Sequence, residues 1–308
     1  MVLVTPSPTA TTLLHLMALL APDPIPAALF MDAAALAELE RLRLISLQDN
    51  KVTLSPTARE AVWRRAPPDG LRDELNVLLQ SMNRLLPAHP SDPLSWEAWD
   101  LLRPHAEALL ATENLDTAAA GLLAGQLAAF LCAKGLHEKA EPLARRALAI
   151  DETHFGPDHP KVAIQLNNLG LALLETNRFS EAEPLMRRAL AIDEAALGGE
   201  HPEVAIDLGN LARLLQMTGR LAEAEPLLRR ALAIDEASFG SGHPSVGRDL
   251  NNLAQMLQDA GRPHEAEPLM RHAVEIFERA LGPDHPTTGG VRQNLQFLLE
   301  DLDYRHNW

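Results

Sequence analysis

The sequence predicts a mainly α-helical protein whose larger part is a solenoid of stacked helix hairpins. Alanine and leucine dominate, and aromatic residues make up only 4% of the 308 residues, a composition that favours helices packing closely on helices. A second observation is a repeat every 42 residues, which is the signature of a solenoid. Two motifs carry the repeat, the Glu-Pro-Leu glutamates Glu141, Glu183, Glu225 and Glu267, and the His-Pro histidines His159, His201, His243 and His285.

A small domain is predicted ahead of the repeats, over residues 12–66. Residues 1–11 combine Thr, Ser and Pro without periodicity, so we expect a flexible lead-in there. The order of the elements after it predicts a winged-helix-like domain. These elements are a helix from Thr12, a helix over 31–44, a β-hairpin from the runs 44–47 and 52–54, and a helix opened by Ser55 and Pro56.

Residues 67–118 are predicted to form a helical bridge into the repeats. One strongly amphipathic helix is expected over 71–86 and another over 94–111. Pro104 falls inside the second of these and predicts a kink or joint.

Each repeat is predicted to be two antiparallel helices, called helix A and helix B in chain order. In the second unit helix A covers 162–176 and ends at Asn177, whose equivalents are glycines, so we expect a left-handed turn there. Helix B is predicted to begin near Ser180, which has capping-box spacing to Glu183. The units run over 119–160, 161–202, 203–244 and 245–286, with a terminal half unit over 287–308.

The small and apolar positions of these units resemble the tetratricopeptide repeat. In the second unit its signature positions are Leu169, Gly170, Leu173, Phe179, Ala182, Met186 and Ala189. The long period, the Asn-Asn-Leu helix A and the His-Pro connector are similar to the kinesin light chain variety. This resemblance covers residues 119–308 and implies a right-handed α-solenoid that binds other proteins without catalysis.

The region before the repeats resembles the winged helix and helical bridge of bacterial nucleotide-switch regulators of the NB-ARC type. No Gly-x-x-x-x-Gly-Lys-Ser/Thr phosphate loop occurs in the chain, so the nucleotide-binding part of such a regulator is missing. The resemblance leaves open a second function, the sensor or regulatory arm of a signalling protein of this type.

The candidate binding residues lie on helix A, which the resemblance places on the inner, concave surface. A buried asparagine inside a helix is unfavourable unless its amide has a use, so a row of them predicts a ladder that binds an extended peptide. In kinesin light chains the matching asparagine contacts peptide, which the resemblance implies here; the alternative is that the amides bond only between adjacent helices. The ladder consists of Asn168, Asn210, Asn252 and Asn294, with Gln126 in the first unit.

Other residues counted on the same face add both charges, so the charge of the ligand stays open. They are Asn251, Arg213, Arg248 and Gln255, with Glu175 and Asp259 nearer the helix end.

Two other periodic features are interpreted as structural. The His-Pro histidines are a whole repeat apart, roughly 10 Å, which is too far to share a metal ion. The paired basic residues of helix B are expected on a solvated outer face, paired with glutamates. These pairs are 145/146, 187/188, 229/230 and 271/272.

Composition limits the remaining function classes. The formal net charge of −15 disfavours nucleic acid as a partner, so a winged-helix transcription regulator that binds DNA is the weaker alternative. The chain has none of the usual catalytic motifs, so we expect a protein that is not an enzyme and needs no metal or cofactor. The single cysteine, Cys132, and the lack of an apolar span of roughly 20 residues predict a soluble cytoplasmic protein without membrane contact. Homodimerisation through a free array end stays open.

Overall fold

The computed structural model describes residues 6–64, 71–90, 92–112 and 115–306, and most of them are helical. The chain divides into two compact units, Met1–His154 and Phe155–Trp308. Among the described residues, no helix combines the length and the apolar character that crossing a bilayer requires.

The N-terminal unit combines helices with one small antiparallel sheet, whose strand order is β1-β3-β2. Its helices are α1 Pro8–Leu19, α2 Ala33–Arg41, α3 Pro56–Trp63, α4 Leu71–Leu85, α5 Trp96–Leu110, α6 Ala118–Ala133 and α7 His137–Phe155. Its strands are β1 Ile25–Pro26, β2 Ile45–Gln48 and β3 Lys51–Leu54, and 3-10 turns cover Ala27–Leu29 and Pro93–Ser95.

The predicted β-hairpin is confirmed, with Ile45 opposite Leu54 and Gln48 opposite Lys51. Asp49 and Asn50 form its turn with positive φ angles of 49° and 58°, which these residue types tolerate. Strand β1 was not predicted because two residues are too few to show an alternating pattern. The sheet places a small domain at the N-terminal end, and the winged-helix assignment of this domain stays a prediction.

The first helix begins at Pro8, so the predicted lead-in over residues 1–11 is too long. Ser7 caps this helix, because its Oγ accepts a hydrogen bond from the Ala10 backbone N–H at 3.2 Å. The Ser7 N–H and hydroxyl both donate to the carboxylate of Glu38 in α2, at 2.8 and 2.7 Å. A partner that is distant in the sequence thus holds the start of α1, and residues 1–5 lie outside the described residues.

Buried aromatic and polar contacts organise the rest of this unit. The rings of Trp99 in α5 and Phe130 in α6 stack with their centroids 5.2 Å apart. Both predicted bridge helices are present as α4 and α5, and Pro104 lies within α5 without ending it. Arg59 of α3 donates to the carbonyl oxygens of Ala18 and Leu20, which satisfies groups at the C-terminal end of α1.

The second unit confirms the repeating helix hairpins, with each helix A packed on the helix B that follows it. Its helices are α8 Pro160–Glu175, α9 Phe179–Leu197, α10 Pro202–Met217, α11 Leu221–Phe239, α12 Pro244–Asp259, α13 Pro263–Leu281 and the terminal α14 Pro286–His306. Ala182, Ala224 and Ala266 are completely buried where helices approach closely. At Gly170 a Cβ atom would lie 2.8 Å from Cγ of Met186, so glycine permits this contact.

The turn between helix A and helix B has the predicted left-handed residue, with φ near 59° at Asn177 and 75° at Gly219. The predicted capping box is wrong. The residue before α9 is Arg178, whose side chain makes no capping hydrogen bond, and its N–H instead bonds the Leu173 carbonyl at 2.9 Å. This bond closes the C-terminal end of α8. Helix α9 begins at Phe179, one residue before Ser180, and Glu183 bonds arginines instead of capping the helix.

Candidate functional site

The four asparagines of the predicted ladder occupy the same place on helix A in successive repeats, on α8, α10, α12 and α14. All four are partly exposed. The expectation that the ladder is buried is therefore wrong, because at the pair Asn167-Asn168 the buried residue is Asn167. Asn167 Nδ2 donates to the carboxylate of Asp207 on α10. The amides predicted to meet a ligand thus lie at the surface, where a ligand can reach them.

Hydrogen bonding within the ladder is uneven. Asn168 Nδ2 reaches Gln165 Oε1 at 3.4 Å, and Asn252 Oδ1 accepts from Asn251 at the same distance. Asn294 donates to Asn251 Oδ1 at 3.0 Å, which joins α14 to α12. Asn251 and Asn294 therefore realise the alternative in which amides bond between adjacent helices.

A pocket of about 200 Å³ lies between α10 and α12. Five of the eight binding residues predicted from the sequence line it, whereas Asn168, Asn251 and Asn294 do not. Its lining consists of Ile206, Gly209, Asn210, Arg213, Gln216, Leu228, Arg248, Asn252 and Gln255. Four amides and two guanidinium groups thus converge on a cavity with an apolar base.

Acidic residues hold both guanidinium groups of the pocket. Arg213 forms an ion pair with Glu175 of α8, which is partly buried. Arg248 donates from Nη2 to Asp235 at 3.1 Å and from Nε to Asp249 at 3.0 Å. Charge-assisted bonds of this kind fix the direction of a planar guanidinium. Acidic residues of the protein itself therefore set the directions of both guanidinium groups in the pocket.

Buried carboxylates stand in register between the repeats, and sequence reasoning missed them. Asp193 of α9 and Asp207 of α10 are 2% and 1% exposed, and Asp235 and Asp249 occupy the same positions one repeat later. Burial raises the pKa of Asp193 to about 6 and the pKa of Asp207 to about 7. The 42-residue recurrence of aspartate among apolar helix positions was the signal that could have found them.

The second carboxylate pair, Asp235 and Asp249, differs because the guanidinium group of Arg248 lies beside it. Burial raises the pKa of Asp249 to about 6, although Arg248 acts in the opposite direction. The residue equivalent to Arg248 in the preceding repeat is Ile206, which cannot neutralise Asp193 and Asp207. Asp207 accepts a hydrogen bond from the amide of Asn167, and a further hydrogen bond joins its carboxyl group to that of Asp193.

The His-Pro histidines cap helices, which is a structural role of the kind that the sequence predicts. The Nδ1 atom of His159 accepts from the Lys161 N–H at 3.1 Å, and His201 accepts from Glu203 at 3.2 Å. The connectors at His243 and His285 have the same bond. Among the described residues, no group of three or more His, Cys, Asp and Glu side chains could hold a metal ion.

The basic pairs of helix B also have structural partners. The first arginine of each pair bonds the glutamate one turn before it, as Arg187 does with Glu183 at 2.7 Å. The second arginine reaches the connector before its own repeat: Arg230 donates to the Gly199 carbonyl at 2.7 Å. These arginines therefore stabilise the array.

Family models for the tetratricopeptide repeat match residues 116–195, 181–237 and 250–287, which together are just over half of the chain. The chain belongs to the tetratricopeptide repeat family. Its fold is that of a protein–protein interaction scaffold, since stacked helix pairs of this kind create extended binding surfaces. No curated protein sequence matches it significantly.

Solved structures place this tetratricopeptide repeat protein near kinesin light chain-like arrays. The TPR-like repeats of a kinesin light chain candidate from Podosopora anserina share 25% identity, cover 66% of this chain and 96% of their own, and give a TM-score of 0.51. BtubC (BKLC) from P. vanneervenii shares 22% identity over 75% of this chain and 89% of its own, with a TM-score of 0.53. Aspartyl phosphate phosphatase F from Bacillus subtilis shares only 14% identity, over 88% of this chain and 70% of its own, with a TM-score of 0.51. The last two share the fold alone.

Proposed function

We propose that this protein binds an extended segment of a partner protein along helix A of its second to fourth repeats. One observation carries the proposal: Asn210, Arg213, Arg248, Asn252 and Gln255 converge on one pocket. The protein then acts as a non-catalytic scaffold, and the pocket holds part of the bound segment.

The size of the pocket favours a peptide over a small-molecule ligand. Sites for drug-sized molecules usually enclose about 300–1,000 Å³. The pocket between α10 and α12 has about 200 Å³, which suits one or two side chains of a longer ligand. The rest of such a ligand would lie along the exposed helix-A surface.

The chemistry of the lining suits a polypeptide backbone. Asn210 and Asn252 each offer one carbonyl and one amino group, which match the N–H and C=O groups of an extended chain. Asn210 makes no side-chain hydrogen bond to any described residue, so its amide can pair with a ligand without losing a bond. Leu228 provides apolar contact at the base.

The test is a peptide selection followed by titration. A library of extended peptides is screened against the whole protein, and the tightest peptide is titrated against wild type and the variant Asn210→Ala/Asn252→Ala. A typical net hydrogen bond contributes about 0.5–1.5 kcal/mol, so the double variant should bind about 5- to 150-fold more weakly. Adding Asn168→Ala, which lies outside the pocket, should weaken binding further only if the peptide follows the whole ladder.

The matched control is Asn76→Ala, which removes a partly exposed helical amide in α4. It should leave affinity unchanged. Equal affinity of wild type and the double variant, or failure to select any peptide, would contradict the proposal.

A further inference from the structure

A second groove lies in the N-terminal unit, between α1, α4 and the segment that leads into α2, and has a volume of about 530 Å³. Its floor is apolar and buried, and consists of Leu13, Leu16, Leu29, Phe30 and Leu78. Two large apolar side chains stand in solvent at its edge, Met31 with 80% and Val77 with 52% of their surface exposed. Single exposed apolar residues are ordinary, but two beside an apolar groove indicate an interaction surface.

In the part of the chain that the structure describes, the charged residues that line this groove are acidic. Asp73 and Glu74 lie in the first turn of α4, and Asp32 caps α2 by accepting from the Ala35 N–H at 2.8 Å. Among the described residues, no lysine, arginine or histidine lines the groove. Carboxylates at the edge of an apolar surface favour partners with cationic groups beside their own apolar face.

We propose that this groove docks a basic amphipathic helix of a partner protein. The apolar side chains of such a helix, at i, i+3, i+4 and i+7, offer about four anchors for a groove of this size. Lysines or arginines beside these anchors meet Asp32, Asp73 and Glu74. The thioether of Met31 adapts to side chains of different shape, which suits it to a docking position. The site shares no residue with the pocket between α10 and α12, so it does not rest on the proposed function.

Charge also decides against the other occupants. A second copy of this chain has a formal net charge of −15, so the acidic edge of the groove repels it. A DNA duplex is repelled for the same reason. A neutral hydrophobic molecule would fill the floor but would leave the three carboxylates without a cationic partner.

The probes are two synthetic peptides of about five helical turns with the same leucine-rich face. One has lysine at every polar position and the other has glutamate, and a scrambled lysine peptide destroys the apolar face. Each is labelled with a fluorophore and titrated with the whole protein by anisotropy. We expect saturable binding of the amphipathic lysine peptide, at least about 10-fold weaker binding of the other two, and weakening of the lysine peptide by added salt.

Two variants separate the apolar contribution from the charged one. Met31→Asp/Val77→Asp places carboxylates on the apolar edge and should reduce affinity for the lysine peptide about 10-fold or more. Asp73→Asn/Glu74→Gln should reduce affinity and flatten its dependence on salt, without removing binding. Both changes lie on exposed side chains, and a thermal melt checks that each variant folds. The control Met217→Asp alters an exposed methionine of α10 and should change nothing.

Several results would overturn the proposal. If the scrambled lysine peptide binds as tightly as the amphipathic one, the interaction is nonspecific charge attraction. If the glutamate peptide binds equally well, the groove does not select a basic partner. Unchanged affinity in Met31→Asp/Val77→Asp would place the peptide elsewhere. A dimer in sedimentation that the same variant dissociates would identify a second copy as the occupant.

Discussion

Arg220 connects two neighbouring repeats, because its Nη1 donates to both carboxylate oxygens of Glu183, at 3.0 and 2.8 Å. Glu183 lies in α9, and Arg220 directly precedes α11. Hydrogen bonds from Arg187 and then Arg220 hold the pKa of Glu183 below its usual value. The same connection recurs one repeat later between Arg262 and Glu225. Glu183 and Glu225 each therefore join their own repeat to the next one.

Replacing Glu183 by glutamine should lower the melting temperature by about 1–2 °C, and by less at about 1 M salt, since exposed ion pairs contribute little and are screened. Because the folded-state pKa of Glu183 is lowered, its contribution is present above the pKa of an unfolded glutamate and is lost as pH falls through the folded-state value. Calorimetry at two salt concentrations measures this difference.

The matched control for Glu183 is Glu267→Gln. Glu267 bonds Arg271 within its own helix at 2.8 Å, and one repeat after Arg262 the sequence has Tyr304. This variant should change the melting temperature less than Glu183→Gln. An equal loss in both variants would mean that the bond between repeats adds nothing.

Replacing Asp207 by asparagine should increase stability above neutral pH. An unfolded aspartate has a pKa of about 3.9. In the folded protein burial raises the pKa of Asp207 to about 7 and that of Asp193 to about 6, so the folded state binds protons more tightly. The free energy of unfolding of the wild type should therefore fall as pH rises from about 4 to about 7, and then level. The variant should flatten this decline and gain about 1–3 kcal/mol near pH 8.

Urea unfolding at a series of pH values measures this effect, with Asp249→Asn as the comparison. Asp249 bonds Arg248, so its loss leaves that guanidinium with one carboxylate fewer and should give no gain. Lower stability of Asp207→Asn near pH 8, or an equal gain in both variants, would contradict the assignment.

Truncating a buried leucine of helix A should destabilise the array strongly. Leu211 is 1% exposed beside Asn210, and Leu211→Ala should cost about 2–5 kcal/mol through the cavity it creates. The unfolding transition should also broaden, because each repeat is stabilised by its neighbours. Calorimetry measures both effects. Ile206→Ala, at an exposed position of the same helix, should stay within about 0.5 kcal/mol of wild type.

The same substitution at two glycines should have opposite effects. Gly219 has a φ of 75°, so Gly219→Ala strains the turn after α10 and should cost about 1 kcal/mol or more. Gly209 lies inside α10 with nothing within 4 Å of an added Cβ, so Gly209→Ala should stabilise by about 0.5–1 kcal/mol. Chemical denaturation measures the free energy of unfolding of both variants. A lower stability of Gly209→Ala than of the wild type would show that the helix needs the open space.

Much of the array could be predicted from the sequence because its signals are local and repeated. The four full units share one turn position and one apolar spacing, and each unit from the second on opens at a His-Pro pair, so a pattern that is unclear in one unit can be checked against the others. The hairpin around Asp49 and Asn50 was predictable for a similar reason. The start of α1 was not, since it depends on Glu38, which lies 31 residues after Ser7.

The candidate site was predicted in part. Counting along helix A identified Asn210, Arg213, Arg248, Asn252 and Gln255, which the structure brings together. The same counting predicted that Asn168 is buried, whereas the buried residue of the pair is Asn167. Adjacent residues on a helix point about 100° apart, so a modest rotation of the helix decides which one is buried.

By itself, the sequence determined the repeat length, the helix hairpins and the helix-A face that lines the pocket, because each follows from periodicity within one helix or turn. Only the tertiary structure decided that Glu183 bonds Arg220, that Asp193 and Asp207 are buried together between α9 and α10, and that Arg248 lies against the next such pair. These relationships depend on the register in which one helix stacks on another. That register is set by packing of whole side chains between repeats, which no local pattern contains.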